Sequence, residues 1–118
     1  MVTPANFAAA VLPLGKTTTI LDPHEIANST GVEGVKYVVN ASAGLPLPIY
    51  VTVASCVPAV PGRETSGATF GPAEVQAMLR LPRVVAVAEV MDYMGVIQVS
   101  CRMMDIVETG LRAGVNIQ

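Results

Sequence analysis

His24 is the only histidine in the sequence, and in the string Asp22-Pro23-His24-Glu25 it has a carboxylate on either side, just after an apolar run. An imidazole titrates near neutral pH, so such a grouping can serve as a metal ligand or a proton shuttle. The competing reading is a histidine fixed by hydrogen bonds in a loop or capping the next helix. Glu89 directly follows Val-Val-Ala-Val-Ala. A carboxylate at the end of such a run is disfavoured by burial unless it is paired or bound to a metal. Asp92 and Tyr93 are a weaker pair, of the kind that commonly forms a turn or a solvated face. Ser55 and Cys56 are nucleophile types, but His24 would be the only base for either, so a Ser/His/Asp or Cys/His triad is not expected. Gly15-Lys16-Thr17 ends like a phosphate-binding loop. The earlier glycine such a loop needs is Ala10, and the motif precedes an apolar run instead of following one.

The elements that must position these side chains show as three runs of β-branched and apolar residues, Thr17 to Leu21, Ile49 to Ala54 and Val84 to Ala88, whose starts are 32 and then 35 positions apart. Nearly continuous hydrophobicity marks strands buried on both faces of a parallel sheet. Between them, apolar residues recur at helical spacing: Val35, Val38 and Val39, then Val75, Met78 and Leu79. Thr3-Pro4 reads as an N-cap with proline in the first turn, opening a helix through Phe7, Val11 and Leu12. Thr30 and Glu33 have the spacing of a capping box, with Gly44 as the stop. Pro72 and Ala73 open a third helix, and Met104, Val107 and Leu111 mark a fourth, ended by Gly114, with a last strand starting near Val115. Methionines such as Met91, Met94, Met103 and Met104 read as core filling.

A strand–helix–strand repeat of just over thirty residues predicts the α/β class, as an open doubly wound sheet or a (β/α)8 TIM-barrel. A whole barrel takes about 250 residues, so the 118 here would be a partial barrel of about three consecutive βα units, with residues 1–118 forming one domain. Either architecture gathers functional residues at the carboxyl ends of its strands. That is where Asp22 to Glu25, Ser55 to Pro58 and Glu89 to Tyr93 all fall.

Composition narrows the function classes. Hydrophobic residues make up 52% and charged residues 14%, which predicts apolar surface in excess of what one small domain can bury. Pro, Gly or a charge interrupts every apolar run well short of the roughly 20 residues a membrane span needs. The first lysine, Lys16, comes after the opening apolar stretch, so no secretory leader is expected and the location reads as cytoplasmic. A net charge of −2, scattered basic residues and five aromatics speak against nucleic-acid binding. Cys56 and Cys101 stand apart without a metal-knuckle spacing and read as reduced structural thiols.

The segments MVTPANFAAAVLPLGKTTTILDPHEIAN, ASAGLPLPIYVTVASCVPA, ETSGA and VVAVAEVMDYMGV resemble, in this order and spacing, the front half of the adenine deaminase barrel, from Met1 to about Val96. The resemblance implies a metal-dependent amidohydrolase that converts adenine and water to hypoxanthine and ammonia. Its divalent ions (manganese, iron or zinc) lower the pKa of a water, and the resulting hydroxide attacks the purine ring. Carried over by motif, Glu89 of AEVMDY would bridge the metals, and His24 of DPHEIAN would stabilise the attacked ring or relay a proton. The family's remaining ligands, an H-x-H pair ahead of the Met1-Val2-Thr3-Pro4 counterpart and later histidines and an aspartate, have no match in a chain with one histidine. Met94 stands where the family usually has proline, and the tail from Gln98 matches loosely. The expectation is therefore a fragment that does not retain the metal ions of the intact family member, is inactive alone and is prone to self-association. The alternative is a non-catalytic α/β association module.

Overall fold

The computed structural model describes residues 2–118, so Met1, where the resemblance begins, lies outside the described residues. Four strands lie side by side in chain order, all parallel: β1 (Thr19–Leu21), β2 (Ile49–Val53), β3 (Val84–Val87) and β4 (Asn116–Ile117). The expected α/β class with parallel strands is what forms. A doubly wound sheet reverses direction at its switch point, whereas here each crossover steps one strand the same way, as in consecutive units of a barrel. Crossovers between parallel strands are right-handed almost without exception, which puts the connecting helices of such a run on one face of the sheet. The strands are shorter than the apolar runs, because Thr17, Thr18, Ala54 and Ala88 lie outside the ladders.

The helices are α1 (Pro4–Val11), α2 (His24–Thr30), α3 (Val32–Ala41), α4 (Pro72–Leu79), α5 (Tyr93–Ile97) and α6 (Cys101–Arg112). Thr3 caps α1 as its type predicts, its hydroxyl accepting the Asn6 N–H at 3.3 Å. The main core brings Val35 and Val39 of α3, Val75 and Met78 of α4, and Met103 and Ile106 of α6 onto Val51, Val53 and Val87. A smaller cluster of Ala8, Leu47 and Ile49 holds α1. None of the helices is long and apolar enough to cross a membrane.

Three local expectations are corrected. Thr30 does not cap a helix but ends α2, its hydroxyl donating back to the Ile26 carbonyl at 2.9 Å. Gly31, at φ +67°, makes the break to α3, and Glu33 pairs with Lys36 at 2.7 Å instead of reaching back. On α6 the buried stripe is Met103, Ile106 and Gly110, while Met104 and Leu111 are exposed. A Cβ at Gly110 would lie 2.9 Å from Val87 Cγ2, so bare backbone is what packs there, and a search for large apolar residues selects the wrong stripe. Of the methionines, Met78 and Met103 fill the core, whereas Met94 and Met104 face solvent.

Ile20 and Tyr50, register partners on β1 and β2, are 59% and 39% exposed, and Val85 of β3 is 37% exposed. They mark a sheet surface that the helices leave open.

Candidate metal centre

Because the strands are parallel, their carboxyl ends share one side of the sheet, and all three suspected segments emerge there. Asp22 directly follows β1, Ser55 and Cys56 lie just beyond β2, and Glu89 lies just beyond β3. Donor atoms of Asp22, His24 and Glu89 come within 4.8 Å of one another. Adjacent strands are about 4.8 Å apart, so side chains from β1 and β3 meet only by leaning across the tip of β2. His24, the first residue of α2, sets its ring Nδ1 3.1 Å from Asp22 Oδ2 and its Nε2 3.8 Å from Glu25 Oε1.

Asp22 Oδ1 is buried without a hydrogen-bond partner among the described residues. Burial is the main force raising the Asp22 pKa above 3.8, and the charge of Glu89 adds to it, against the opposing pull of His24. A buried acceptor without a donor, facing a second carboxylate, is the environment that a cation relieves. Two carboxylates and an imidazole are a donor set suited to manganese, iron or zinc. With Nδ1–H donated to Asp22, His24 keeps a lone pair at Nε2 for a metal or a proton, the usual carboxylate–histidine arrangement at metal sites.

The sequence places the burial cost at Glu89, whereas in the structure Glu89 is exposed and the buried oxygen lacking a partner among the described residues belongs to Asp22. Ser55 and Cys56 are buried and form no triad, since among the described residues neither is hydrogen-bonded to His24. The Ser55 hydroxyl instead donates to the Glu89 carbonyl at 2.7 Å, and Cys56 Sγ accepts the Met91 N–H at 2.8 Å. Asp92 is a structural residue, accepting the Gly95 N–H at 3.0 Å to cap α5, while Tyr93 is 65% exposed. Arg102, which sequence reading passed over, reaches from α6 to the carbonyls of Val57, Pro58 and Phe70 and lies 3.6 Å from Asp92. It ties the loops after β2 and β3 together, and no local motif announces it. A cleft of about 340 Å³ opens beside the cluster, walled in part by His24, Glu25, Cys56, Glu64 and Met91.

Fold and site together define a parallel α/β chain that presents imidazole and carboxylate donors at its strand tips. Its relatives make the class specific. The chain is 51% identical over 114 residues to "Adenine deaminase 2" of Rhizobium meliloti (strain 1021), covering 97% of this chain and 19% of that protein. It is 50% identical over 115 residues to the adenine deaminase of Klebsiella pneumoniae (strain 342), covering 98% and 19%. With the adenine deaminase of Moorella thermoacetica the identity is 50% over 97 residues, covering 82% and 16%. No family model matches the chain. By sequence it is a homologue of the adenine deaminases along nearly its whole length, and it spans about 19% of the length of the first two relatives. The alignments of 114 and 115 residues also carry the likeness past Val96, into the tail that motifs alone matched loosely.

Proposed function

We propose that these residues form one part of the metal and substrate site of an adenine deaminase, the hydrolase that converts adenine and water to hypoxanthine and ammonia. The observation that carries the reading is the meeting of Asp22, His24 and Glu89 across the tip of β2. The half-identical relatives, all named for that activity, support it. In this reading residues 1–118 are consecutive units of a (β/α)8 barrel of the amidohydrolase type, with the open sheet surface facing the barrel interior.

Glu89 would hold a divalent ion through its carboxylate, and His24 would hold or move a proton at Nε2 beside the substrate ring. Asp22 orients the imidazole through Nδ1. A bound divalent ion supplies Lewis acidity and a water of lowered pKa. Catalytic sites take three or more protein donors per ion, more than this cluster offers to two ions. Where the sequence predicts that no metal is retained, the three donors of Asp22, His24 and Glu89 favour uptake of one ion by the 118-residue chain, without turnover of adenine. The second reading, a non-catalytic association module, draws on the exposed Ile20, Tyr50 and Val85.

Two measurements on the pure chain test the proposal. Equilibrium dialysis is expected to show Mn2+ uptake that Glu89→Gln weakens by at least about tenfold. Incubation of adenine with the chain and manganese, iron or zinc is expected to release no ammonia. Uptake indifferent to Glu89 would remove the metal role, and turnover by the chain alone would refute its dependence on further ligands.

A further inference from the structure

We propose that Ser55 and Cys56 are positioning residues that hold the Glu89 carboxylate on the metal site by clamping the backbone on both sides of Val90. The inference rests on the metal reading of Glu89. Pairing between β2 and β3 reaches as far as the Ala88 N–H, which donates to the Val53 carbonyl at 2.8 Å. Beyond that bond, side chains replace main chain. The Ser55 hydroxyl donates to the Glu89 carbonyl at 2.7 Å, and Cys56 Sγ accepts the Met91 N–H at 2.8 Å. The two side chains also touch, Oγ to Sγ at 3.0 Å. With the serine proton committed to Glu89, the thiol has two acceptors in reach, Ser55 Oγ and, at 3.5 Å, the Glu89 carbonyl itself, so the bonds link Met91 through Cys56 to Ser55 and Glu89. On the far side the Val90 N–H donates to the Gln118 carbonyl at 2.9 Å, so the segment is held from both neighbouring strands.

This clamp accounts for polar side chains at Ser55 and Cys56, which are 0% and 3% exposed and which His24 does not engage. It also supplies what the exposed Glu89 lacks. A solvated carboxylate has many rotamers, and fixing its backbone removes part of the ordering cost of binding an ion. Partners that orient a ligand typically change metal affinity 10–100-fold when removed.

The test is Mn2+ affinity of the 118-residue chain, read from the electron paramagnetic resonance signal of free aquo-Mn2+, with circular dichroism of each variant alongside. Ser55→Ala is expected to weaken binding roughly tenfold at unchanged helix content, and Ser55→Thr, which keeps the hydroxyl, to restore it. Should Ser55→Ala not fold, Ser55→Cys, a weaker donor of similar size, is expected to fall between Ser55→Ala-like loss and the parent. Glu89→Gln is the control for the underlying reading. If the parent and Glu89→Gln bind alike, the metal assignment itself fails. If Glu89→Gln loses affinity while folded Ser55→Ala or Ser55→Cys binds as the parent does, the clamp is overturned and the metal assignment stands.

Discussion

At Asp22 one carboxylate oxygen bonds the imidazole of His24 while the other is buried without a partner among the described residues. Burial, helped by the charge of Glu89, raises its pKa, so the folded chain holds this proton more tightly than the unfolded chain does. Below the ordinary value of 3.8 the group is protonated in both states, and the fold keeps its full stability. As pH rises through the raised folded value, that contribution is lost. In metal-free buffer Asp22→Asn is therefore expected to melt higher than the parent at pH 7, with the gap closing at and below pH 3.8. A parent that melts higher at pH 7 would show that the ionised carboxylate is already compensated. With Mn2+ present the parent gains thermal stability and Asp22→Asn gains less, because ligand binding stabilises only the state that binds. The sequence made His24 and Glu89 legible because a lone histidine and a carboxylate closing an apolar run are both unusual. It showed Asp22 only as a neighbour, since burial of one oxygen depends on tertiary contacts that no local string encodes.

The elements were legible where periodicity and capping chemistry agree, and opaque where backbone is the packing surface. Runs of β-branched and apolar residues marked β1, β2 and β3 within a residue or two, and Thr3-Pro4 marked the start of α1. α6 was located but rotated, because Gly110 lets helix and sheet approach and carries no hydrophobic signal. Gly110→Ala follows as a discriminating substitution. Alanine favours a helix by about 1 kcal/mol over glycine, yet a methyl 2.9 Å from Val87 Cγ2 forces repacking. The net expectation, by urea denaturation, is a loss of about 1–2 kcal/mol; a gain would mean that α6 and β3 are not packed as described. Arg102 links elements instead of building one. Arg102→Ala is expected to cost about 2 kcal/mol in the same assay. Arg102→Lys should recover little, because an ammonium cannot fork to the carbonyls of Val57, Pro58 and Phe70. Full recovery by lysine would reduce the residue to a charge beside Asp92.

The sheet of the whole molecule runs β1-β2-β3-β4 with nothing paired on the outer sides of β1 and β4 among the described residues. Together with exposed Ile20, Tyr50 and Val85, two open edges favour association. Size-exclusion chromatography of the pure chain is expected to give species larger than a monomer, shifted toward the monomer by Ile20→Lys combined with Val85→Lys. A sharp monomer peak from the parent would show that the open surface is tolerated in water. The excess of apolar residues foretold this surface, but composition could not say that it would be one face of a sheet. In the proposed site His24 and Glu89 share one cation, and the single histidine makes that directly observable. In proton NMR the chain has one imidazole to follow. Substoichiometric Mn2+ is expected to broaden its ring signals selectively in the parent and to leave them sharp in Glu89→Gln. Equal broadening in both proteins, or none in the parent, would contradict a metal site built from these strand tips.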